Sequence, residues 1–252
     1  MTASSYSVTA LSGVPLVRRG DDLCAVVTDA LATSGMDLED GDIVVLAQKI
    51  VSKAEGRQVM LDSVTPSPAA EDLAARTGKD PRLVELMLAE TEEIVRVRPN
   101  LVIMRNHLGL VLANAGIDQS NVAPGAALLL PVDPDASAAA LRAALNAATG
   151  KTVAVLVIDS LGRAWRMGTT GTAIGVAGMP AVLDLRGKPD LTGRKLESSE
   201  LGIADEVAAA ASLAMGQADE GTPIVIVRGL DYEPCEHSAR TLVRPRVMDL
   251  FR

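Results

Sequence analysis

A chain of 252 residues is long enough for one large domain or two modest ones. A formal net charge of -8 and a pI of about 4.9 argue against a nucleic-acid-binding surface, and no apolar run reaches the roughly 18 residues needed to span a bilayer. Aromatic residues are only 2% of the composition against 48% hydrophobic, so any core must be filled by Val, Leu, Ile and Ala.

Residues 1–7 are polar, with neither a charged leader nor an apolar stretch, so no export signal is visible. Cys24 and Cys235 stand in no metal or redox spacing and read as small hydrophobes, which makes a reducing cytoplasm the expected setting.

Residues 6–11 alternate weakly and predict a first strand, followed by a rigid turn over residues 13–17. Asp21 and Asp22 cap an amphipathic helix over Leu23–Thr33, with Gly35 as its stop. The run Ile43–Ala47 is apolar throughout, as in a strand covered on both faces. Directly after it, residues 48–57 (QKIVSKAEGR) gather two lysines, a serine and an arginine around a glycine bend. Such residues can neutralise a polyphosphate, or form an exposed basic loop. Neither G-x-x-x-x-G-K-[ST] nor G-x-G-x-x-G is present, so a nucleotide needs other contacts.

Ser67-Pro68 and Asp80-Pro81 pair a cap with a first-turn proline, predicting helices over residues 69–76 and from 82 to about 91. Glu90, Glu92 and Glu93 are expected on a solvated helix face, and residues 94–104 can form strand around Pro99. His107 at a strand edge reads as structural rather than as a ligand or base. The apolar run 107–112 predicts a buried strand leading into Ala113-Asn114-Ala115-Gly116-Ile117-Asp118-Gln119-Ser120-Asn121. Asp133-Pro134 caps an alanine-rich helix over residues 136–149, stopped by Gly150. A strand over residues 152–158 then runs into Asp159-Ser160-Leu161-Gly162-Arg163.

Two strands each ending in Asp, followed by small polar residues, would gather oxygen ligands suited to a hard cation such as Mg²⁺ or Mn²⁺ rather than zinc. Two such ions could face a phosphate chain. The loop holding Arg163, Trp165 and Arg166 has the composition of a ligand-wrapping segment: guanidinium forks for phosphate or carboxylate and an indole face for a ring. The alternative, less favoured, is a surface loop with one anchoring Trp. Residues 173–180 are small and apolar, permitting close backbone packing. A helix over Ile203–Met215 carries Asp205 and Glu206 in its first turn, where acids complement the helix dipole. A flexible acidic exit follows over residues 216–221, and residues 224–227 predict a last core strand. Strands and helices mix without a βαβ rhythm, so the expected class is α+β, with mixed sheets, helices and two lobes enclosing a crevice.

The phrases Gly41-Asp42-Ile43-Val44-Val45, residues 50–57 (IVSKAEGR), Asn114 through Asn121, Asp159-Ser160-Leu161-Gly162-Arg163 and Val227-Arg228-Gly229-Leu230 occur together and in order. In this the chain strongly resembles the coenzyme F420-0:L-glutamate ligase family over nearly its whole length. It looks like the single-domain form, spanning 1–252, without the nitroreductase-like module fused in some actinobacteria. The resemblance implies an intertwined homodimeric ligase using GTP, Mg²⁺ or Mn²⁺ (two ions), and K⁺. It further implies that the γ-phosphate of GTP activates a carboxylate of F420-0, which the amine of L-glutamate then attacks.

Carried over position by position, Asp118, Asp159, Ser160 and Gln217 resemble metal ligands. Gly13, Val14, Pro15, Leu16, Gln48, Lys49, Lys53 and Asn121 match nucleotide-contacting positions. So does the segment Leu213, Ala214, Met215, Gly216, Gln217, Ala218, Asp219 and Glu220. Asp118, Asp159 and Lys53 are the expected catalytic groups, with Arg163 and Arg166 added on physical grounds; both aspartates are expected to be ionised beside cations. Two rivals remain open: a carboxylate–amine ligase of the same scaffold acting on another acid, and a non-catalytic metal- or nucleotide-binding module.

Overall fold

The computed structural model describes residues 5–249; residues 1–4, within the stretch read above for an export signal, and residues 250–252 lie outside them. In chain order the strands and helices begin β1 (Ser7–Ala10), α1 (Leu23–Thr33), β2 (Ile43–Ala47), α2 (Gln48–Ala54) and β3 (Gln58–Met60). They continue with α3 (Pro68–Thr77), α4 (Pro81–Ala89), β4 (Thr91–Arg98), β5 (Leu101–Asn106), β6 (Val111–Ala113) and β7 (Ala126–Leu128). The last are α5 (Pro134–Thr149), β8 (Ala154–Gly162), β9 (Thr169–Ala177), β10 (Leu183–Asp184), β11 (Glu200–Leu201), α6 (Ile203–Met215) and β12 (Ile224–Arg228). This is a mixed α+β architecture of several sheets.

Helix starts follow the local chemistry. Side chains of Asp22, Ser67, Asp80 and Asp133 each accept a first-turn backbone N–H, and Pro68, Pro81 and Pro134 occupy the turn where no donor is missed. Helices α3 and α5 stop at Gly78 and Gly150.

The body is a five-stranded sheet of order β1-β12-β2-β8-β9, in which β2 and β8 run parallel and the other pairs antiparallel. Alternation along the strands sends Val44, Leu46, Val155 and Val157 to one face, packed with α1 and α5. Ile43, Val45, Ala154 and Leu156 go to the other, packed with α6. Both faces of β2 are therefore covered, which is why its sequence is apolar without alternation. Strand β9 is squeezed between two helices: a Cβ at Gly171 would lie 2.3 Å from the Ala208 carbonyl oxygen, and one at Gly175 2.3 Å from that of Pro134. Only glycine admits that approach.

At the end of the interior strand β12, Arg228 donates two bonds to buried Asp42 at 2.8 and 2.7 Å, and further ones to Glu39 at 2.6 Å and the Asp37 carbonyl at 2.7 Å. A third apolar cluster lies apart from the sheet, formed by α3, α4, β5 and β7 around Met87, Met104, Ala127 and Leu129.

Residues 48–54 are helix α2, which removes the exposed-loop alternative: Gln48, Ile50, Val51 and Ser52 are buried while Lys49 and Lys53 share the opposite side. Two expectations about elements differ from the structure. Glu92 and Glu93 lie in β4, not on a helix. The alternation from Thr91 through Val97 has the strand period, and a turn at Asn100 (φ 62°) pairs it with β5. These acids are paired, Glu90 with Arg57, Glu92 with Arg105 and Glu93 with Arg246. Finally, the buried strand expected over 107–112 reduces to the three-residue β6; His107 bonds the Ala89 carbonyl through Nε2 at 3.0 Å, a structural role.

Candidate functional site

Parallel β2 and β8 end side by side, Ala47 opposite Ile158. In open sheets the crevice beyond such strand ends is where ligands are held. Here the chain leaves β2 directly into α2, while β8 continues through Asp159 and Ser160 as a two-stranded extension with β9. Asp159 thus sits inside a strand rather than at its end, and Asp118 is not on a strand terminus either. It follows a left-handed turn at Asn114, Ala115 and Gly116 (φ 54°, 56° and 84°) and is fixed by paired backbone bonds to Leu128 at 3.0 and 2.8 Å.

Helix α2 joins the two acids. Lys49 Nζ lies 2.6 Å from Asp118 Oδ2 and donates to Ser120 Oγ at 2.5 Å. The Ser120 backbone N–H and hydroxyl both bond the Asp118 carboxylate, at 2.7 and 3.0 Å. One turn on, Lys53 Nζ donates to the Asn121 carbonyl at 2.7 Å. On the β8 side, Ser160 N–H bonds Asp159 Oδ1 at 2.8 Å and Ser160 Oγ bonds Gln217 Oε1 at 2.7 Å.

The two carboxylates have opposite electrostatics. Burial acts to raise the pKa of Asp118, but the bond from Lys49, the Ser120 bonds and the Lys49 charge outweigh it and hold the acid below its ordinary range. Burial also pushes Asp159 up, assisted by the Asp118 charge; the Ser160 N–H, the Lys49 charge and a bond from Gln48 offset only part of this. The expected ionisation of both acids rests on bound cations; of the protein's own groups, those around Asp118 favour its charged form, while the burial of Asp159 opposes it. Desolvation exceeds the help of a lysine already engaged by Asp118. Lys53 is shifted down by burial and by the neighbouring Lys49.

These groups border a cleft of about 1000 Å³. Of the residues singled out from the sequence, Val14, Pro15, Leu16, Gln48, Lys49, Lys53, Asn121, Asp159 and Ser160 line it, as does the run from Met215 to Glu220. Asp118 adjoins it through Lys49. Gly13, Leu213 and Ala214 do not line it: Gly13 packs on Thr33, Leu213 points to solvent and Ala214 packs on the core. Arg163 and Arg166 stand on the exposed tip between β8 and β9, outside the cleft wall. The sequence reading missed Arg18, Arg19 and Gln58, which also line the cleft. The adjacent arginines just after the 13–17 turn were the signal available.

Among the described residues no group of three His, Cys, Asp or Glu side chains converges as a metal cage. The available donors are two carboxylates, the Ser160 hydroxyl and the Gln217 amide oxygen, all hard oxygen ligands. Asp159, with its charge only partly compensated, is suited to a nearby cation. The set fits a magnesium-type ion that keeps several of its own waters, and does not fit zinc.

The chain is 49% identical over 98% of its length to the coenzyme F420:L-glutamate ligase of Methanothermobacter thermautotrophicus, of which it covers 98%. It is 47% identical to the enzyme of that name from Methanopyrus kandleri (95% of this chain, 96% of the relative). Against that from Archaeoglobus fulgidus it is 42% identical (96% and 94%). With a match over residues 13–229 to the family described as F420-0:Gamma-glutamyl ligase, the chain belongs to that family.

Proposed function

We propose that this protein is a GTP-dependent ligase that joins L-glutamate to coenzyme F420-0 through an acyl-phosphate intermediate. The observation carrying the reading is the cleft in which α2 sets Lys49 and Lys53 between the Asp118 segment and the Asp159–Ser160 strand. The names of the relatives supply the substrates. Transfer of the γ-phosphoryl group to a substrate carboxylate releases GDP; attack by the glutamate amine then forms the amide and expels phosphate, the amine proton leaving to solvent. Phosphoryl transfer asks a protein chiefly for positioning and charge neutralisation, not for a nucleophile.

Asp118, Asp159, Ser160 and Gln217 would hold Mg²⁺ or Mn²⁺, which when bound neutralises phosphate charge and orients the phosphoryl oxygens. Lys49 is poised to exchange its present partner, Asp118, for a phosphate oxygen. Lys53 and Asn121 contact the nucleotide, and the segment from Met215 to Glu220 closes over it. K⁺ assists in this reading.

The third apolar cluster forms a second lobe of the single 1–252 domain, and the chain works as an intertwined homodimer. Exposed apolar side chains at Met167 and Leu191 support such an association. Unbonded Cys24 and Cys235 suit a reducing cytoplasm, and no helix among the described residues is long and apolar enough to cross a membrane.

Mass spectrometry of F420-0 incubated with GTP, Mn²⁺ and L-glutamate tests the reading. One or more glutamyl additions with stoichiometric phosphate release are expected. Glutamylation of a different acid only, or GTP binding without phosphate release, would replace it with one of the two rivals.

A further inference from the structure

The nucleotide-contacting positions expected above leave Arg18, Arg19, Gly56 and Gln58 of the cleft lining, next to the C-terminal end of α2, without an assigned role. Helix α2 has seven residues, so this end lies about 10 Å along the helix from the Lys49–Asp118 end. The cations of the cleft are not equivalent. Lys49 is engaged by Asp118 and Ser120, and Lys53 by the Asn121 carbonyl. Arg19 lines the cleft with no hydrogen bond or ion pair from its guanidinium to another described residue.

Arg19 is nevertheless held in place. The Arg18 N–H bonds Asp21 Oδ2 at 2.8 Å, and the Gly20 N–H bonds the Ala54 carbonyl at 2.9 Å, tying the loop to the end of α2. The stem of Arg19 lies on Gly56, where a Cβ would come within 2.7 Å of its Cδ and Nε. Gly56 also has φ of 75°, so the backbone calls for glycine here. A guanidinium seated by its stem, with its fork unspent, in a protein of net charge -8, is arranged for an anion that offers two oxygens to the fork.

We propose that Arg19 anchors an anionic group, carboxylate or phosphate ester, of a non-nucleotide substrate, with Arg18 beside it. This rests on the ligase reading. Two sources share the chemistry: L-glutamate, which carries carboxylates besides its reacting amine, and the acid that accepts it. The anchored end would lie at the far end of α2 while the reacting end reaches the Asp118–Asp159 side.

The test is steady-state kinetics of Arg19→Gln and Arg19→Lys, varying GTP, L-glutamate and F420-0 in turn. Loss of a charge-assisted fork is expected to raise KM for one of the two non-nucleotide substrates by about tenfold or more. The KM for GTP and kcat at saturation should stay within about twofold. Arg19→Lys should recover part of the loss, since it restores charge without the fork. A rise for L-glutamate alone identifies the amino acid as the anchored substrate; a rise for F420-0 alone identifies the acceptor. Unchanged KM for both, or a rise for GTP only, overturns the proposal. An inactive wild-type protein would instead remove the ligase reading on which it rests. Arg19 is exposed, so both variants should fold; circular dichroism and the retained GTP KM check this.

Discussion

Asp159 and Asp118 face the same lysine from two differently built regions. Asp159 belongs to a nine-residue strand whose first half is buried in the sheet, and its backbone position follows from the packing of Leu156 and Ile158. Asp118 belongs to a stretch with little regular structure, positioned by a left-handed turn, one bridge to Leu128 and its bonds from Lys49 and Ser120. A sheet can hold a carboxylate in a place that does not suit its charge. A loop acid depends more on the partners its charge recruits.

The largest expected effect tests what the two have in common. Asp118→Asn or Asp159→Asn should abolish glutamyl transfer while the circular dichroism spectrum is kept. A variant with normal metal-dependent turnover would remove that residue from the chemistry. Next comes the rigidity of the sheet side. Asp42 is buried against a partly exposed Arg228 that keeps Glu39 and the Asp37 carbonyl, so Asp42→Ala should cost about 1–3 kcal/mol in chemical denaturation. A loss below about 0.5 kcal/mol would show that this clamp at the strand ends adds little to holding β2 and β12.

Lys53→Ala should come third, raising KM for GTP by about tenfold, as expected for one charge-assisted phosphate contact. Unaltered GTP saturation would exclude that contact.

The smallest effect separates the two acids by pH, in metal-free protein. Asp159 has a raised pKa, so the stability tied to its protonated form is present below the ordinary 3.8 and lost as pH rises through the raised value. Asp159→Asn should therefore be more stable than the parent at pH 7, with the gap closing as pH falls towards 4. Asp118 is lowered, so its contribution is present above 3.8 and lost as pH falls through the depressed value. Asp118→Asn should lose up to about 1 kcal/mol at pH 7, the modest worth of a partly exposed pair, and match the parent in strong acid. Parallel pH profiles for the two variants would erase the contrast.

Much of the sheet body was legible because its signals are local. Asp22, Ser67, Asp80 and Asp133 announce their helices through caps, and Ile43–Ala47 announces a doubly covered strand through unbroken apolarity. The basic segment after β2 was harder. Lys49 and Lys53 stood out, while three buried positions, Ile50 to Ser52, are too few to show a helical period in the sequence. Glu92 and Glu93 followed an evident helix, and only pairing with β5 turned them into strand.

The sequence by itself determined most of the element types, the absence of a long apolar helix pattern, the two acid-bearing segments and, through its ordered motifs, the family. Tertiary structure alone decided that α2 lies between Asp118 and Asp159, that burial works against the charge of the latter, and that Arg19 reaches the cleft over Gly56. Caps and periodicity act over a few residues and leave their mark in the local sequence. Desolvation and ion pairing depend on which distant segments meet, and no short stretch of chain encodes that.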